Sequence, residues 1–312
     1  MNILYGVQAT GNGHISRSRE IIAALKKAGH SVEVILSGRD PEHLWDIEVF
    51  EPYTVFKGMT LVTSRGKLQY IKTIRGLALR QLWNDIRSYR ARQAFDVAIT
   101  DFEPVSAHIA RRLGIPSIGI GHQYAFNYNV PTAKRDPIAR LVLKYFAPTD
   151  YALGLHWHHF GYPILPPVVP QITCDYPIQP GKILVYLPFE KYDDVTQLLR
   201  RFTTHDFYYY SDVSKACDSG NMRVRPFSRS GFIDDLKSCN GVICNAGFEL
   251  ASEALYLGKK LLVRPLSGQL EQLSNAYVLH MLKLGYVMKR LDADAVRAWL
   301  LLDAPPPQRY PN

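Results

Sequence analysis

The group most suited to chemistry near the start of the chain is a histidine in a glycine-rich segment, QATGNGH, which spans Gln8 to His14. The segment lies between an apolar run, NILYGV, and a helical pattern, ISRSREIIAALKKAGH. Gly11 and Gly13 let the chain turn sharply and bring backbone N–H groups close to a ligand at the helix start. A neutral imidazole at that position suits a general base that deprotonates a hydroxyl. The alternative is a histidine that only caps or packs the helix.

Polar side chains also follow two later strand-like runs in the first half of the chain. Asp101 closes the run FDVAITD, and His122 and Gln123 follow the run PSIGIG. Because ligands of open α/β sheets bind at the carboxyl ends of the strands, these residues are expected to face the cleft. Asp101 is predicted to orient the imidazole of His14 or to hold the acceptor. The alternative is that Asp101 caps the helix that starts at Pro104.

A second set of candidate residues lies in the segment CNGVICNAGFELASEALYLGKKLLVRPLSGQLEQLSNA. Gly247 lets a helix start abruptly after a strand, and the amides at such a start suit a diphosphate. Glu253, about one and a half turns into that helix, can reach a ribose diol with its carboxylate. Gln269 and Gln272 are three residues apart on one helix face, where their amides can bind sugar hydroxyls.

Strand-like and helical runs alternate along both halves of the chain. Short Val- and Ile-rich strands separated by amphipathic helices predict parallel sheets covered on both faces. Between the halves, GYPILPPVVPQITCDYPIQPGK holds six prolines without a helical period, which is typical of a linker. We therefore predict an α/β fold of two Rossmann-like domains, residues 1–163 and 182–312, that face each other across a cleft and are joined by a Pro-rich linker, residues 164–181. The tail, DAPPPQRYPN, is expected to be loose.

The composition favours a cytoplasmic globular protein. The 312 residues carry a net charge of +9, and residues 1–165 hold 20 Lys and Arg against 13 Asp and Glu. Such a surface suits an anionic partner, or it only aids solubility. No run is long and apolar enough to span a membrane, and the first residues lack a signal-peptide pattern. The four cysteines fit no zinc pattern, and the histidines of HWHHFG are expected in packing contacts rather than in a metal site.

The most basic part of the chain is a long predicted helical stretch, GKLQYIKTIRGLALRQLWNDIRSYRARQ, residues 66–93. It combines seven basic residues with one acidic residue, and Leu, Ile, Tyr and Trp83 are interleaved with them. Such a helix can lie on an anionic bilayer. The commoner alternative is a helix with a core face and a solvated basic face.

Taken together, these motifs resemble the GT-B fold glycosyltransferases, most closely their MurG-like and UDP-glycosyltransferase branch. In that family a small residue and a Gly start a helix, a Glu lies inside it, and Pro, a variable loop, Gln and Asn-Ala follow. The corresponding positions here are Ala246, Gly247, Glu253, Pro265, Gln269, Gln272, Asn275 and Ala276. The loop ATGNGH likewise resembles the family's Gly-rich N-terminal loop.

The resemblance implies that the second domain holds a UDP-sugar and that His14, with Asp101, deprotonates an acceptor hydroxyl. Within the donor site, Glu253 would bind the ribose, and Arg225 and Phe227 would flank the uracil. The full set of donor-binding residues is Gly11, Gly13, Arg225, Phe227, Ala246, Gly247, Phe248, Glu249, Glu253, Gln269 and Gln272. The acceptor-binding residues are Asn12, His122 and Gln123. The acceptor is expected to be a glycan or a polyprenyl- or lipid-linked molecule of the cell envelope, which allows a peripheral contact with the inner face of the plasma membrane.

Two departures from the family pattern bear on the mechanism. The Gly-rich loop after the first strand of the second domain is absent here, where the chain reads VYLPFEKYDD, so no diphosphate contact carries over from that loop. Retaining GT-B enzymes have a further Glu where this chain has Asn245, which implies inversion by in-line attack. GT-B enzymes work without a metal, because helix dipoles and basic groups stabilise the departing diphosphate. The resemblance thus implies a metal-independent, inverting hexosyltransferase with no cofactor beyond the UDP-sugar.

Two other functions stay open. A UDP-N-acetylglucosamine 2-epimerase has the same fold and would isomerise a free nucleotide sugar without any acceptor. A basic nucleic-acid-binding protein would need aromatic–basic platforms or a known binding module. The sequence has neither, so no nucleic-acid partner is expected.

Overall fold

The computed structural model describes residues 1–44, 47–58, 63, 64, 67, 68, 77–134, 136–170 and 176–310. The chain forms two compact units. The first unit holds most of residues 1–170, and the second holds the residues from 171 onward together with the short segments 65–67 and 131–134. Each unit contains its own sheet of parallel or mainly parallel strands. The predicted α/β fold with two Rossmann-like domains is confirmed.

The sheet of the first unit has six parallel strands. The described strands among residues 1–170, in chain order, are β1 (Asn2–Gln8), β2 (Ser31–Ser37), β3 (Tyr53–Phe56), the separately paired β4 (Thr63–Ser64) and β5 (Lys67–Leu68), β6 (Val97–Asp101), β7 (Ser117–Gly121) and β8 (Tyr151–Gly154). Their order in the six-stranded sheet is β3-β2-β1-β6-β7-β8. The chain direction across the sheet therefore reverses between β1 and β6, which is where open α/β sheets bind ligands.

Both faces of this sheet are covered, because alternate side chains of a strand point to opposite faces. The described α-helices of this unit are α1 (Asn12–Lys27), α2 (Leu77–Ser88), α3 (Pro104–Leu113), α4 (His122–Ala125) and α5 (Pro137–Phe146). Ile3, Tyr5 and Val7 of β1 pack in a buried cluster with Ile22 of α1. Leu4 belongs to a second cluster, which includes residues of α2, α3 and α5.

The prediction of a long helix over residues 66–93 is wrong at both described ends of this stretch. Lys67–Leu68 forms β5, and α2 ends at Ser88, whereas residues 69–76 lie outside the described residues. The helix stops at its carboxyl end where tertiary packing fixes Tyr89, which is buried and donates its hydroxyl to Glu33 at 2.9 Å. No helix in the described part of the chain combines the length and apolar character needed to cross a membrane.

The second sheet has seven strands, and all but β11 run parallel. They are β9 (Gln179–Tyr186), β10 (Asp206–Tyr210), β11 (Cys217–Ser219), β12 (Met222–Arg225), β13 (Cys239–Asn245), β14 (Lys260–Arg264) and β15 (Tyr286–Val287). Their order is β11-β12-β10-β9-β13-β14-β15. Strand β9 begins at Gln179, so the last residues of the predicted linker belong to the sheet.

Helices cover the second sheet as they cover the first. They are α6 (Tyr192–Leu199), α7 (Arg229–Ser238), α8 (Phe248–Tyr256), α9 (Leu270–Met281) and α10 (Ala293–Leu300). The expectation of a loose tail is wrong for its described part, which lies against α8. Gln308 N donates to Leu255 O at 2.8 Å, and the ring of Tyr310 stacks on that of Tyr256 at 6.2 Å. Tail and helix therefore share hydrogen bonds and apolar contact.

Candidate active site

A buried carboxylate holds the imidazole of His14 at the carboxyl ends of β1 and β6. His14 lies in the first turn of α1, and Asp101 is the last residue of β6. His14 Nδ1 is 2.8 Å from Asp101 Oδ1; the imidazole is 15% exposed, whereas Asp101 is fully buried. Because an ionised carboxylate only accepts hydrogen bonds, Nδ1 donates to Asp101, and in the neutral form of the imidazole Nε2 has the lone pair. This pair of side chains can therefore act as a general base and its orienting acid.

Arg17 and Ser18 hold Asp101 in place, and the sequence alone did not identify either residue. Arg17 donates to the carboxylate from Nε at 3.0 Å and from Nη2 at 2.5 Å, and Ser18 Oγ donates at 2.9 Å. Burial opposes ionisation of Asp101, but the charges and hydrogen bonds of Arg17 and His14 outweigh it and lower the pKa of the carboxyl. Asp101 therefore stays ionised and can stabilise an imidazolium. The i, i+3 spacing of His14 and Arg17 is the sequence signal that could have indicated this contact.

Glu103, rather than Asp101, caps the helix that follows β6. Its carboxylate accepts hydrogen bonds from Val105 N at 2.7 Å and from Ser106 N at 2.6 Å. Residues i and i+2 of a continued strand face the same side. Phe102, which lies between the two acids, has a φ of +52°, a left-handed conformation that is uncommon for an aromatic residue. The turn at Phe102 thus sends the two carboxylates to different partners.

Two glycines let the backbone approach this pair of side chains closely. Gly11 precedes α1 as its N-cap, where no side chain caps the helix. Gly121 ends β7, and a Cβ atom there would lie 3.2 Å from both Arg17 Nη2 and Asp101 Oδ1. Contacts of that length are tighter than most side chains tolerate, so Gly121 leaves the room that the ion pair occupies.

The structure brings one of the predicted acceptor residues to His14. Gln123 Nε2 lies 3.5 Å from His14 Nε2, at the limit of hydrogen-bond distance. His122 is only 1% exposed, and its Nδ1 donates to a backbone carbonyl at 2.9 Å. Asn12 Oδ1 accepts a hydrogen bond from Arg39 Nη1 at 2.9 Å on the exposed side of the loop. Gln123 is thus the predicted acceptor residue placed beside the base.

The histidines of HWHHFG lie in packing and backbone contacts. Burial, with smaller effects of His122 and His158, lowers the pKa of His156 to about 2, so its imidazole stays neutral. His158 Nδ1 and His159 Nδ1 each accept a backbone N–H at 2.9 Å. Across the described ranges, no group of three or more His, Cys, Asp or Glu side chains is arranged to hold a metal ion.

The predicted diphosphate site lies where β13 turns into α8. The strand ends at Asn245, Ala246 is buried, and Gly247 is the N-cap of α8, with no side-chain cap. Gly247 has a φ of −71°, and a Cβ atom there would meet nothing within 4 Å. Its missing side chain therefore leaves space at the helix start, although the backbone conformation does not require glycine. Phe248 and Glu249, the first two residues of the helix, are both buried.

The predicted sugar-binding glutamines flank the loop after β14. Gln269 is the N-cap residue of α9. Gln272 is buried, and its Oε1 accepts a hydrogen bond from Leu266 N at 3.0 Å, which ties the loop to the helix. One turn further on, Asn275 Nδ2 donates to Ala246 O at 3.0 Å and so ties α9 to the segment before α8. Gln272 and Asn275 thus fix the backbone around the helix start.

The remaining donor candidates are spread over the second unit. Arg225 forms an ion pair with Asp218 on the neighbouring strand. The ring of Phe227 packs edge-on against Tyr186, with 6.1 Å between the ring centroids. Glu253 is half-buried on α8. Arg225 and Phe227 therefore lie at the end of β12, the second strand from the edge of the sheet, whereas Glu253 lies on the helix that follows β13.

Comparisons with known proteins agree with this architecture. The family model described as Glycosyl transferase family 1 matches residues 1–302. No curated protein sequence matches the chain. Three similar solved structures are SnogD from Streptomyces nogalater (16% identity, TM-score 0.57, covering 96% of this chain and 93% of SnogD), the spinosyn rhamnosyltransferase SpnG complexed with thymidine diphosphate (16%, 0.59, 96% and 92%), and Arabidopsis thaliana UGT89C1 complexed with UDP (12%, 0.62, 96% and 90%).

The structural likeness concerns the fold, because identities of this size do not carry function. The similar structures are glycosyltransferases of the GT-B fold, and this chain shares that fold. The family match is the stronger finding, since it runs through both units and includes the His14 loop and the α8 start. The chain therefore belongs to glycosyl transferase family 1.

Proposed function

We propose that this glycosyltransferase moves a hexose from a UDP-sugar to a hydroxyl of a glycan or lipid-linked acceptor, with inversion and without a metal. The observation that carries the proposal is the 2.8 Å hydrogen bond between His14 Nδ1 and the buried carboxylate of Asp101. Together with the family match over residues 1–302, this bond supports proton removal from a hydroxyl. An ionised, orienting acid behind a histidine is the arrangement that general-base catalysis needs.

In the proposed reaction, His14 Nε2 takes the proton of the acceptor hydroxyl while the hydroxyl oxygen attacks the anomeric carbon of the donor sugar. The new C–O bond forms as the bond from that carbon to the diphosphate oxygen breaks, and its electron pair leaves with UDP. Attack from the opposite side inverts the configuration at the anomeric carbon. Asp101 stabilises the imidazolium until His14 releases its proton to water.

On the donor side, the proposal assigns the diphosphate to the start of α8 and the ribose to Glu253. Gln269 and Gln272 would face the sugar, and Arg225 and Phe227 the base. The amide-rich start of a helix favours a diphosphate in the ground state and a more negative leaving group in the transition state. SpnG was solved with thymidine diphosphate and UGT89C1 with UDP, which supports a pyrimidine nucleotide here.

On the acceptor side, the proposal includes Asn12, His122 and Gln123 and a peripheral contact with an anionic membrane on the cytoplasmic side. The exposed part of α2 supports the membrane contact. Trp83 is 60% exposed, and the guanidinium of Arg87 lies 5.7 Å from its ring centroid. Exposed aromatic rings beside basic side chains are typical of helices that bind anionic bilayers.

The donor class is tested by thermal unfolding with UDP, thymidine diphosphate, GDP, ADP and NAD. We expect UDP to raise the unfolding midpoint by several degrees, because a ligand at about 100 times its Kd stabilises the folded state by about 2.7 kcal/mol. GDP, ADP and NAD should leave the midpoint unchanged. If only thymidine diphosphate raises the unfolding midpoint, the base of the donor is thymine rather than uracil. If none of the nucleotides raises the midpoint, the proposal is overturned.

The roles of the two units are tested with His14→Ala and Glu253→Ala. His14→Ala should keep UDP binding and lower kcat about 10²- to 10⁴-fold, whereas Glu253→Ala should weaken UDP binding. His159→Ala, on an exposed histidine, is the matched control for the first change. Equal loss of binding and turnover in both variants would contradict the assigned roles.

Measuring UDP release with and without an acceptor distinguishes a transferase from an epimerase, because only the transferase requires the acceptor.

A further inference from the structure

An ion pair crosses the carboxyl end of β13. Arg264 is the last residue of β14, and Glu190 lies in the loop after β9; these two strands are the neighbours of β13 on either side. Arg264 Nη1 is 2.8 Å from Glu190 Oε1, and the two side chains are 18% and 10% exposed. Because the partners come from opposite sides of β13, the ion pair spans the point where the chain leaves that strand for α8.

Asn245, the last residue of β13, contacts both partners of this ion pair. It lies in register with Arg264, and its Nδ2 donates to Arg264 O at 3.0 Å. Its side chain also forms a hydrogen bond with Glu190. Burial raises the pKa of Glu190, although Arg264 and Asn245 oppose that shift. Glu190, Asn245 and Arg264 therefore form one polar cluster at the end of the strand.

Several buried polar atoms around this cluster have no protein partner within the described residues. Within the cluster they are Arg264 Nε, Asn245 Oδ1 and, apart from its ion pair with Arg264, Glu190 Oε1. Gln269 Oε1, at the start of α9, is another. A buried polar atom without a partner is costly, so such atoms need an explanation. The guanidinium N–H requires an acceptor, and the two amide oxygens require donors. A molecule with both anionic oxygens and hydroxyl groups, such as a nucleoside diphosphate sugar, supplies both.

The charge arrangement also favours an anion at this place. Helix α8 starts at Phe248, directly after Ala246 and Gly247, without a side-chain cap. The start of a helix attracts negative charge. Arg264 Nη1 contacts Glu190 and Pro265 O. The planar guanidinium presents further N–H donors, which match the geometry of phosphate oxygens.

We propose that Arg264 binds the diphosphate of the nucleotide sugar, with Glu190 as its counter-ion. This inference rests on the proposed function and names a cation of the donor site that the sequence motifs did not indicate. The counter-ion comes from VYLPFEKYDD, the segment that departs from the Gly-rich pattern. In this proposal, Arg264 at the end of β14 brings a positive charge to the diphosphate. A glycine-rich turn has no charged side chain to do so.

The test compares the affinities for UDP and uridine by calorimetric titration, with wild type, Arg264→Gln and the double variant Glu190→Gln/Arg264→Gln. If the wild type prefers thymidine diphosphate, that nucleotide and thymidine replace the pair. We expect Arg264→Gln to weaken UDP binding about 10- to 100-fold, the range for a hydrogen bond to a charged group. The uridine affinity should change less than about threefold, because uridine has no phosphate.

The double variant and a charge-matched control make the result decisive. The double variant has no unpaired Glu190 carboxylate that could repel the diphosphate. Weak UDP binding by this variant would therefore result from the loss of the Arg264 cation. Arg223→Gln removes the same charge from an exposed ion pair with Asp206, which begins β10, and it should bind UDP as the wild type does. If Arg264→Gln does not fold, the double variant decides alone. UDP binding at wild-type strength in a folded Arg264 variant overturns the inference, and absence of nucleotide binding in the wild type overturns the proposed function with it.

Discussion

The carboxylate of Asp101 works as an orienting group because its burial is matched by donors. It is fully buried and accepts hydrogen bonds from His14, Arg17 and Ser18. Arg17 is itself only 2% exposed, so each charge compensates for the desolvation of the other. Removing the negative charge would take away the carboxylate that this buried guanidinium contacts. The histidine, the acid and the arginine are therefore expected to respond to mutation as one unit.

Asp101→Asn is the sharpest test of this pair of side chains. The amide keeps the size of the carboxylate but loses its charge, so it orients His14 less well and no longer stabilises the imidazolium. We expect kcat to fall about 10²- to 10⁴-fold with UDP affinity unchanged, since the buried carboxylate is not predicted to touch the donor. Steady-state kinetics and calorimetric titration measure the two quantities.

The control is Asp96→Asn, which makes the same change in an exposed acid just before β6, where the carboxylate accepts a hydrogen bond from Asn2 N at 2.7 Å. This variant should keep the wild-type kcat. A folded Asp101→Asn enzyme with wild-type turnover would show that the His14–Asp101 hydrogen bond has no part in catalysis.

Among the helices, the two whose starts are predicted to meet ligands lack side-chain caps. Helices α1 and α8 begin after Gly11 and Gly247, with no capping side chain. Helices α3, α7 and α10 are capped by Glu103, Ser228 and Asp292. Helices α4, α6 and α9 also lack a side-chain cap, and of these only α4 has a glycine at the N-cap. A capping side chain would occupy the amides and the space that a phosphate needs. The choice of glycine at these two helix starts is consistent with ligand binding.

Gly247→Ala tests whether glycine is present to leave space for a ligand or because the backbone conformation requires it. Alanine fits a φ of −71°, and its methyl group meets no atom within 4 Å. Alanine restricts the unfolded chain, which stabilises the fold, but it is a poorer N-cap residue than glycine. Because these effects oppose each other, we expect the free energy of unfolding to change by less than about 1 kcal/mol. UDP should bind about tenfold more weakly, because the methyl group takes space at the helix start and costs a hydrogen bond to a charged group.

Gly181→Ala in β9 is the matched control for this change, because a Cβ atom there makes only an ordinary contact at 3.5 Å. Thermal unfolding and UDP titration of both variants provide the comparison. If Gly247→Ala binds UDP as tightly as Gly181→Ala, the diphosphate does not approach the start of α8.

At the scale of the whole molecule, each unit is stabilised by its own apolar core. The first sheet lies between two clusters, one that includes Tyr5 and Ile22 and one that includes Leu4. The second unit has a cluster in which Trp299 is 1% exposed. Separate cores allow one unit to be stabilised by a ligand while the other keeps its own local opening equilibrium.

Hydrogen exchange with and without UDP tests where the nucleotide acts in the molecule. We expect slower amide exchange at the β13–α8 turn and at the loop between β14 and α9, because a bound ligand suppresses local opening of the segments that it contacts. Strands β2 and β3 of the first unit should exchange at unchanged rates and serve as the internal control. Protection confined to the first unit would refute the assignment of the donor to the second.

The amino-acid sequence by itself determined the parts of this protein that depend on neighbouring residues. Alternating strand-like and helical runs predicted the two parallel-sheet units, because burial on both faces requires continuous apolar strands. A strand end placed Asp101 at the carboxyl edge of its sheet, where ligands of such sheets bind, and glycines marked the starts of α1 and α8. The motif order indicated a glycosyltransferase, which the family match confirmed. The prediction of one long basic helix was wrong, because helical periodicity in the sequence carries no information about the tertiary contact of Tyr89.

Only the tertiary structure decided which distant groups meet. Asp101 accepts from Arg17 and Ser18, which lie 84 and 83 positions away in the chain. Glu190 meets Arg264 across β13 because β9 and β14 are both neighbours of that strand. Local patterns reveal where a strand ends, but strand order, helix placement and side-chain direction decide which strand ends share an edge. The order of the strands in the sheet therefore decides which groups become partners of a buried charge. No short segment of the sequence contains that information.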